Sequence, residues 1–320
     1  MDSTPTTTGP AAAPPTAVCF RHPGRESYIR CTRCDRYACP DCRRDAAVGY
    51  QCVECVKGAA RSARPTVTRF GGRSATLPVL TWTLMLINVL AYLAELARPG
   101  IVDRFSALGQ SVVGPDGGYY TVDAPYLPAG YHAVGIAHGE WYRLITSAFL
   151  HLPPTQGLFG IAHIAVNLYW VWLLGRVLEG WLGRVRFLGL YLVSALGGAV
   201  MEYLLAPDQP AIGASGAVFG LTGAYVVMAR RIRYDPLDSG RLLGGSLVWL
   251  VVSAGFTSWQ GHLGGLLAGA AVGAVLALAP NRTPRSRSAV QAAGTVGVAL
   301  VLVAAVALKT SDILMNTPWS

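Results

Sequence analysis

The chain has 320 residues, 52% of them hydrophobic and only 13% charged, against roughly one quarter charged on an ordinary soluble surface. With a mean hydropathy of +0.40, that composition excludes a protein whose main solvent is water and puts a bilayer in its place. The formal charge of +9, from 26 Lys and Arg against 17 Asp and Glu, marks cytoplasmic loops in such a chain rather than a nucleic-acid surface.

Residues 1–18 hold Pro and Thr among small residues, with neither the basic start nor the apolar stretch of a secretory signal. They are expected to be disordered, with the N-terminus in the cytoplasm. All seven cysteines fall between residues 19 and 55. Their odd number fits a disulfide framework poorly, and their CxxC spacing suits metal ligation in a reducing compartment. Four pairs follow one another: Cys19 with His22, Cys31 with Cys34, Cys39 with Cys42, and Cys52 with Cys55. A two-residue gap lets both side chains of a pair reach one ion, so these eight ligands make two tetrahedral zinc sites with no open position for chemistry. In so short a segment the metal supplies most of the folding free energy. Spacing leaves consecutive and crossed pairings open. Arg25, Arg30, Arg33, Arg36, Arg43 and Arg44 read as a solvated basic face; protein contact or regulation is the expected role, with a cytoplasmic protein as partner and no nucleic acid. A basic linker occupies 56–76, with Lys57, Arg61, Arg64, Arg69 and Arg73.

About 20 apolar residues cross roughly 30 Å of hydrocarbon. Seven runs qualify, near 77–97, 158–178, 186–205, 211–229, 242–258, 262–280 and 289–308, followed by a short tail at 309–320. Basic residues alternate between the connections. They gather at Arg61 to Arg73, at Arg176, Arg184 and Arg186, at Arg230, Arg231, Arg233 and Arg241, and at Arg282, Arg285 and Arg287, while 206–210 and 258–261 have none. By the positive-inside rule the N-terminus is cytoplasmic and the C-terminus outside. Trp170, Trp172 and Trp181 read as interfacial anchors or bundle filling, and His132, His138 and His151 as surface or packing groups.

Hydropathy alone fits any seven-span protein, so function must come from polar residues inside the spans. The fourth reads Gly213-Ala214-Ser215-Gly216-Ala217-Val218-Phe219-Gly220, one hydroxyl among residues small enough for a neighbouring helix to approach. The sixth opens Gly261-His262-Leu263-Gly264-Gly265 and continues to Gly269. Gly261, Gly265 and Gly269 make a smooth track against which the start of span four can lie, and an ionisable residue in a span usually faces a functional interior. Both spans run inward from outside, so Ser215 and His262 share a depth. A serine alcohol needs an adjacent base to attack a carbonyl, and no third acidic partner is evident. His163 and Asn167, four residues apart on span two, lie on one helix face and could stabilise an oxyanion.

These motifs together resemble a rhomboid intramembrane serine protease over residues 77–308. The GxSG with its following Ala and Gly, HxxGxxxG from His262 and HxxxN from His163 stand intact, and Glu140 to His151 is similar to the family's Trp-Arg segment. The resemblance implies an all-α polytopic membrane protein, a rhomboid-like six-helix core with a seventh C-terminal transmembrane helix, preceded by a small cytoplasmic zinc-binding domain. It implies Ser215 as nucleophile, His262 as base and acid, His163, Asn167 and the Ser215 N–H as oxyanion site, and Arg143 as structural. Catalysis would need no cofactor. Substrates would be single-span or polytopic membrane proteins cut in transmembrane or juxtamembrane segments, in a bacterial plasma membrane. Three positions depart from the family: Tyr142 stands where Trp directly precedes Arg, Gly261 where Ala is common, and Phe219 where many members have a Tyr stacked on the catalytic histidine. The segment 19–55 is similar to a B-box zinc finger, whose crossed bracing implies Cys19, His22, Cys39 and Cys42 on one ion and Cys31, Cys34, Cys52 and Cys55 on the other. The alternative is a non-catalytic rhomboid-like protein that binds membrane helices. A channel would spread its polar residues along a whole pathway.

Overall fold

The structure is a computed structural model that describes residues 17–62, 67–74, 77–120, 126–255, 257–280 and 283–316. Most of the stretch read as disordered, part of the basic linker and the end of the C-terminal tail lie outside these residues. The chain divides into two units, 1–65 and 66–320.

In the first unit, strands β1 (Val18–Cys19) and β2 (His22–Glu26) form one antiparallel hairpin, and β3 (Arg43–Asp45) and β4 (Tyr50–Cys52) another. Gly49, at φ +67°, gives the second hairpin a turn that a side chain would strain. The buried apolar residues are almost entirely thiols: Cys19, Cys31, Cys39, Cys42 and Cys52 with Ala38. Helix α1 (Val53–Ser62) follows and runs past residue 55 into the stretch read as linker. Glu54 in its first turn and Arg61 in its last both suit the helix dipole.

The second unit is mostly helical. Helix α2 (Val79–Ala97) leads to the short α3 (Gly100–Phe105) and a three-stranded antiparallel sheet of β5 (Ser111–Val113), β6 (Tyr119–Tyr120) and β7 (His132–Val134), ordered β6-β5-β7. After α4 (Arg143–Thr146) come α5 (Leu158–Leu182), α6 (Arg184–Leu205), α7 (Ser215–Ile232), α8 (Ser239–Val252), α9 (Trp259–Leu278) and α10 (Pro284–Asn316). Among the described residues, α2, α5, α6, α9 and α10 are long and apolar enough to cross a membrane. This is an integral membrane protein. Helix α7 has 18 residues and two Arg in its last turn, and α8 only 14 residues.

The helix ends differ from the apolar runs for local reasons. Gly213, at φ +131°, keeps the chain extended ahead of Ser215, so α7 begins four residues into its run. Asp238 accepts from the Arg241 N–H at 3.1 Å and starts α8 early. Ser258 caps α9, which places His262 one turn inside the helix rather than at its mouth.

Contacts between helices fix their directions. Glu179, near the end of α5, accepts the N–H groups of Leu80 and Thr81 at the start of α2, at 3.0 and 2.8 Å, and the Thr81 hydroxyl at 2.8 Å. One buried carboxylate thus satisfies first-turn donors that α2 cannot satisfy itself. At the opposite end of α2, Glu95 accepts the His151 N–H. Tyr203, late in α6, meets Thr310, late in α10. Small residues seat α9 against α6 and α7: a methyl on Gly265 would lie 1.9 Å from the Gly216 carbonyl oxygen, one on Gly269 2.0 Å from that of Gly220, and one on Gly264 2.3 Å from that of Gly197. The backbones therefore touch, a geometry only small residues allow. It brings the start of α7 and the start of α9 to the same end of the bundle.

Candidate active site and metal centres

At that end, the Ser215 hydroxyl and His262 Nε2 lie 3.0 Å apart, a hydrogen bond across two helices. Ser215 is the first residue of α7, so its N–H is one of the donors that no earlier helical carbonyl can reach. His262 is 4% exposed. Phe219, one turn after Ser215, lies flat against its ring, with centroids 4.4 Å apart and 5° between planes. Among the described residues nothing bonds His262 Nδ1; no acid completes a triad.

The approach to Ser215 is built by the extended residues before it. The Gly213 N–H donates to the Ser147 carbonyl at 3.0 Å, which fixes this strand-like stretch beside α4. His163 stands close by: a methyl on Gly213 would come within 3.0 Å of its Nε2 and 3.5 Å of the Ser215 hydroxyl. The Leu152 N–H donates to His163 Nδ1 at 3.1 Å. In a neutral imidazole one nitrogen then remains as donor, and it is the Nε2 that faces the serine. Asn167 is placed differently. Its side-chain amide donates to the His163 carbonyl at 2.8 Å, holding the helix turn that carries the histidine. Ser215 also borders a cavity of about 40 Å³ lined by Gly198, Glu202, Ser258 and Gly261, large enough for water.

Near the site Glu202 escapes notice in the sequence, and His151 is read there only as a surface or packing group. Glu202, 4% exposed, accepts a hydrogen bond from the Ser258 hydroxyl, which itself caps α9 at the Gly261 N–H. His151, fully buried, lies edge-on to Tyr92 and 5.3 Å from the His163 ring. An isolated Glu carries no motif, and the end of the Trp-Arg segment assigns His151 no role; only their neighbours in space give them meaning. Arg143, read as structural, is 2% exposed and donates to the carbonyls of Asp103 and Ser106 at 2.7 and 3.0 Å and to Glu140 at 2.8 Å. It ties α4 to the segment after α3. Burial works against the Glu140 carboxylate, yet Arg143 and the Gly135 N–H hold its pKa below the ordinary value.

In the first unit, Cys19, His22, Cys39 and Cys42 form one cluster and Cys31, Cys34, Cys52 and Cys55 a second, the ligand atoms of each within 4.8 Å of one another. Four N and S ligands on one tetrahedral zinc lie roughly 3.5–3.8 Å apart. His22 Nδ1 is 3.8, 3.4 and 3.4 Å from the sulfurs of Cys19, Cys39 and Cys42, and Cys34 and Cys52 are 3.7 Å apart. The crossed grouping fits a metal at each cluster. Burial opposes the Cys19 thiolate, but N–H groups near Cys39 and Arg21 and the His22 ring bring its pKa down to about 6. Cys31 also falls to about 6 against burial, through N–H groups around Cys52, Arg33 and Cys34. Crowded thiols answer in the other direction: burial and its neighbours Cys19 and Cys39 push Cys42 up to about 11. A dication would remove that conflict.

Residues 138–279 match the rhomboid domain family. The match spans α4 to α9 and holds the Ser215–His262 contact. Over 150 residues the chain is 36% identical to the rhomboid protease GluP of Bacillus subtilis, covering 45% of this chain and 27% of that protein. It is 31% identical over 147 residues to the mitochondrial RHOMBOID-like protein 6 of Arabidopsis thaliana, 44% of this chain and 46% of that one. To the rhomboid protease GlpG of Salmonella newport it is 28% identical over 205 residues, 60% of this chain and 61% of that one. The chain thus spans between about a quarter and three fifths of these relatives. The cysteine-rich unit lies outside the matched rhomboid segment.

Proposed function

We propose that this protein is an intramembrane serine endopeptidase that cuts transmembrane or juxtamembrane segments of membrane proteins with a Ser215–His262 dyad. The observation that carries the reading is the 3.0 Å contact between the Ser215 hydroxyl and His262 Nε2 at one end of a membrane bundle.

In the proposed reaction the Ser215 oxygen attacks a peptide carbonyl as His262 Nε2 accepts its proton. The charge that develops on the carbonyl oxygen falls within reach of the Ser215 N–H and the His163 Nε2–H. Asn167, engaged with the His163 carbonyl, contributes by holding that imidazole in place. His262 then returns the proton to the departing amine, the C–N bond breaks, and an acyl ester remains on Ser215. Water admitted through the adjoining cavity attacks the ester with His262 again as base, which frees the acid and restores the hydroxyl. A substrate helix must open first, because its carbonyls are engaged in i to i+4 bonds, so helix-breaking residues near the cut are expected.

The same reading takes residues 77–308 as a seven-span protease domain, counting α7 and α8 as spans, with the N-terminus cytoplasmic and the C-terminus outside a bacterial plasma membrane. It rests on the alternation of Lys and Arg between connections. Residues 19–55 form a structural domain on two zinc ions, whose supply of positive charge joins parts of the chain that have little apolar core.

The test is cleavage of a single-span substrate by the protein reconstituted in lipid, alongside labelling with a fluorophosphonate. Wild type should cleave and label, and Ser215→Ala and His262→Ala should each reduce cleavage by at least a thousandfold while the protein melts normally. Undiminished cleavage by Ser215→Ala removes the serine from the mechanism. A folded wild type that neither labels nor cleaves turns the reading toward a helix-binding protein without catalysis.

A further inference from the structure

The end of the bundle opposite Ser215 carries a cleft of about 980 Å³ between the α5–α6 turn, the first turns of α10 and the segment before α2. Its rim is basic. Arg73, Arg184 and Arg186 line it, and Arg287 approaches Gly71 beside Arg186. Among the described residues the only carboxylate paired with any of these four is Glu179, 3.8 Å from Arg184, and that carboxylate already holds three groups of α2. The first turn of α6, which no side chain caps, opens on the same cleft. Below the rim the lining becomes apolar and small, with Gly189, Leu276, Ala292 and Val296.

The floor is ordered. Arg186 donates to Gln291 at 2.7 Å and to Ser288 at 2.9 Å, while the Gln291 amide donates to the carbonyls of Phe70 and Leu276 at 3.1 and 2.8 Å. One side chain thereby links α10 to α6, α9 and the segment before α2, so the cleft has fixed walls. Positive charge at helix ends above an apolar wall, in a protein whose helices are of membrane length, is complementary to a molecule with an anionic head and an acyl tail.

We infer that this cleft binds one anionic phospholipid, its phosphodiester among Arg73, Arg184 and Arg186 and an acyl chain along Gly189 and Val296. A free phosphate would satisfy the arginines but leave the apolar wall bare, and a zwitterionic lipid would bring its own cation to a basic rim. The inference needs only the membrane bundle and does not depend on proteolysis.

The test is native mass spectrometry of the full, delipidated chain titrated with phosphatidylglycerol or with phosphatidylcholine of the same acyl chains. One phosphatidylglycerol per chain should be retained at least tenfold more tightly than phosphatidylcholine, and inorganic phosphate should not displace it. Arg73 is exposed and has no ion pair among the described residues, so Arg73→Gln should fold and weaken phosphatidylglycerol about fivefold without changing phosphatidylcholine, the scale of one basic residue near a lipid surface. A methyl on Gly189 would meet only Thr295, at 3.7 Å, so Gly189→Leu has room to fold and should weaken both lipids by projecting into the apolar wall. Gly244→Leu, where a methyl meets nothing within 4 Å, should weaken neither. Equal retention of the two lipids, displacement by inorganic phosphate, or wild-type retention of phosphatidylglycerol by an Arg73→Gln or Gly189→Leu chain that melts like wild type would each overturn the assignment.

Discussion

Phe219 lies parallel to the His262 ring at 4.4 Å, and nothing bonds Nδ1 among the described residues; in the proposed dyad this stack would do the orienting work that a carboxylate performs in a triad. Aromatic pairs contribute about 0.5–1.5 kcal/mol beyond burial, which corresponds to roughly two- to tenfold in rate if all of it serves orientation. Phe219→Leu should therefore lower kcat by up to about tenfold with little change in KM, and Phe219→Tyr should keep the stack and the rate; a leucine variant as fast as wild type would remove the orienting role. Arg143 and Glu140 give a second prediction at this scale. The folded pKa of Glu140 lies below its ordinary value, so the stability it adds is present above about pH 4.3 and is lost as pH falls through the lower folded value. Glu140→Gln should flatten that acid limb of the thermal-stability profile, and an unchanged limb would show that Arg143 is held by the backbone carbonyls alone.

Helix α9 meets α6 and α7 through glycine, and the contact fixes the distance between the proposed nucleophile and base. A methyl on Gly265 would sit 1.9 Å from the oxygen of Gly216, the residue after Ser215, and backbone cannot turn aside as a side chain can. Gly265→Ala should cost about 1–3 kcal/mol through overpacking and lose fluorophosphonate labelling at temperatures where the protein is still folded. Gly244→Ala, on the open α8, should gain up to about 1 kcal/mol from helix propensity; melting and labelling of the two variants, measured together, separate steric displacement of the dyad from any general effect of replacing glycine. The four-residue spacing of Gly261, Gly265 and Gly269 made this surface legible in the sequence, as did the hydroxyl and imidazole placed at equal depth. The anchors were not legible. Glu179 and Glu202 act on partners 98 and 56 residues away, and no local pattern announces so distant a partner; Arg143, whose acceptor lies 40 residues away, is marked as structural by the family resemblance alone. Helix ends slipped for a related reason, since hydropathy locates apolar surface whereas Gly213, Asp238 and Ser258 decide where backbone begins to coil. The sheet of β5, β6 and β7 lies between the first two apolar runs, and strands of two and three residues carry too little alternation to register in a sequence.

The two units of the chain are stabilised by different physics, and that difference can be measured. Unit 66–320 buries a continuous cluster from Phe70 and Leu84 through Tyr191 to Val272 and Leu276, enough apolar surface to need no metal. The first unit buries thiols in the place of a core, and thiols within 4.8 Å of one another cannot all ionise unless a cation joins them. Removing zinc should therefore unfold one unit and spare the other. On treating the full chain with a strong chelator at neutral pH, we expect release of two zinc ions, new protease-sensitive sites confined to residues 17–62, and an unchanged melting temperature for the membrane bundle. Cys42→Ser, which removes one ligand from the first cluster, should lose one zinc and open the same region, while Ser62→Ala, outside both clusters, should do neither. Cysteine ligands must be deprotonated to hold the metal, so acidification should release zinc, and raising the pH with zinc present should restore resistance to the protease. A chelated chain that stays resistant throughout 17–62 would mean that the small unit folds on its hairpins alone, and the crossed spacing of its ligands would then need another explanation.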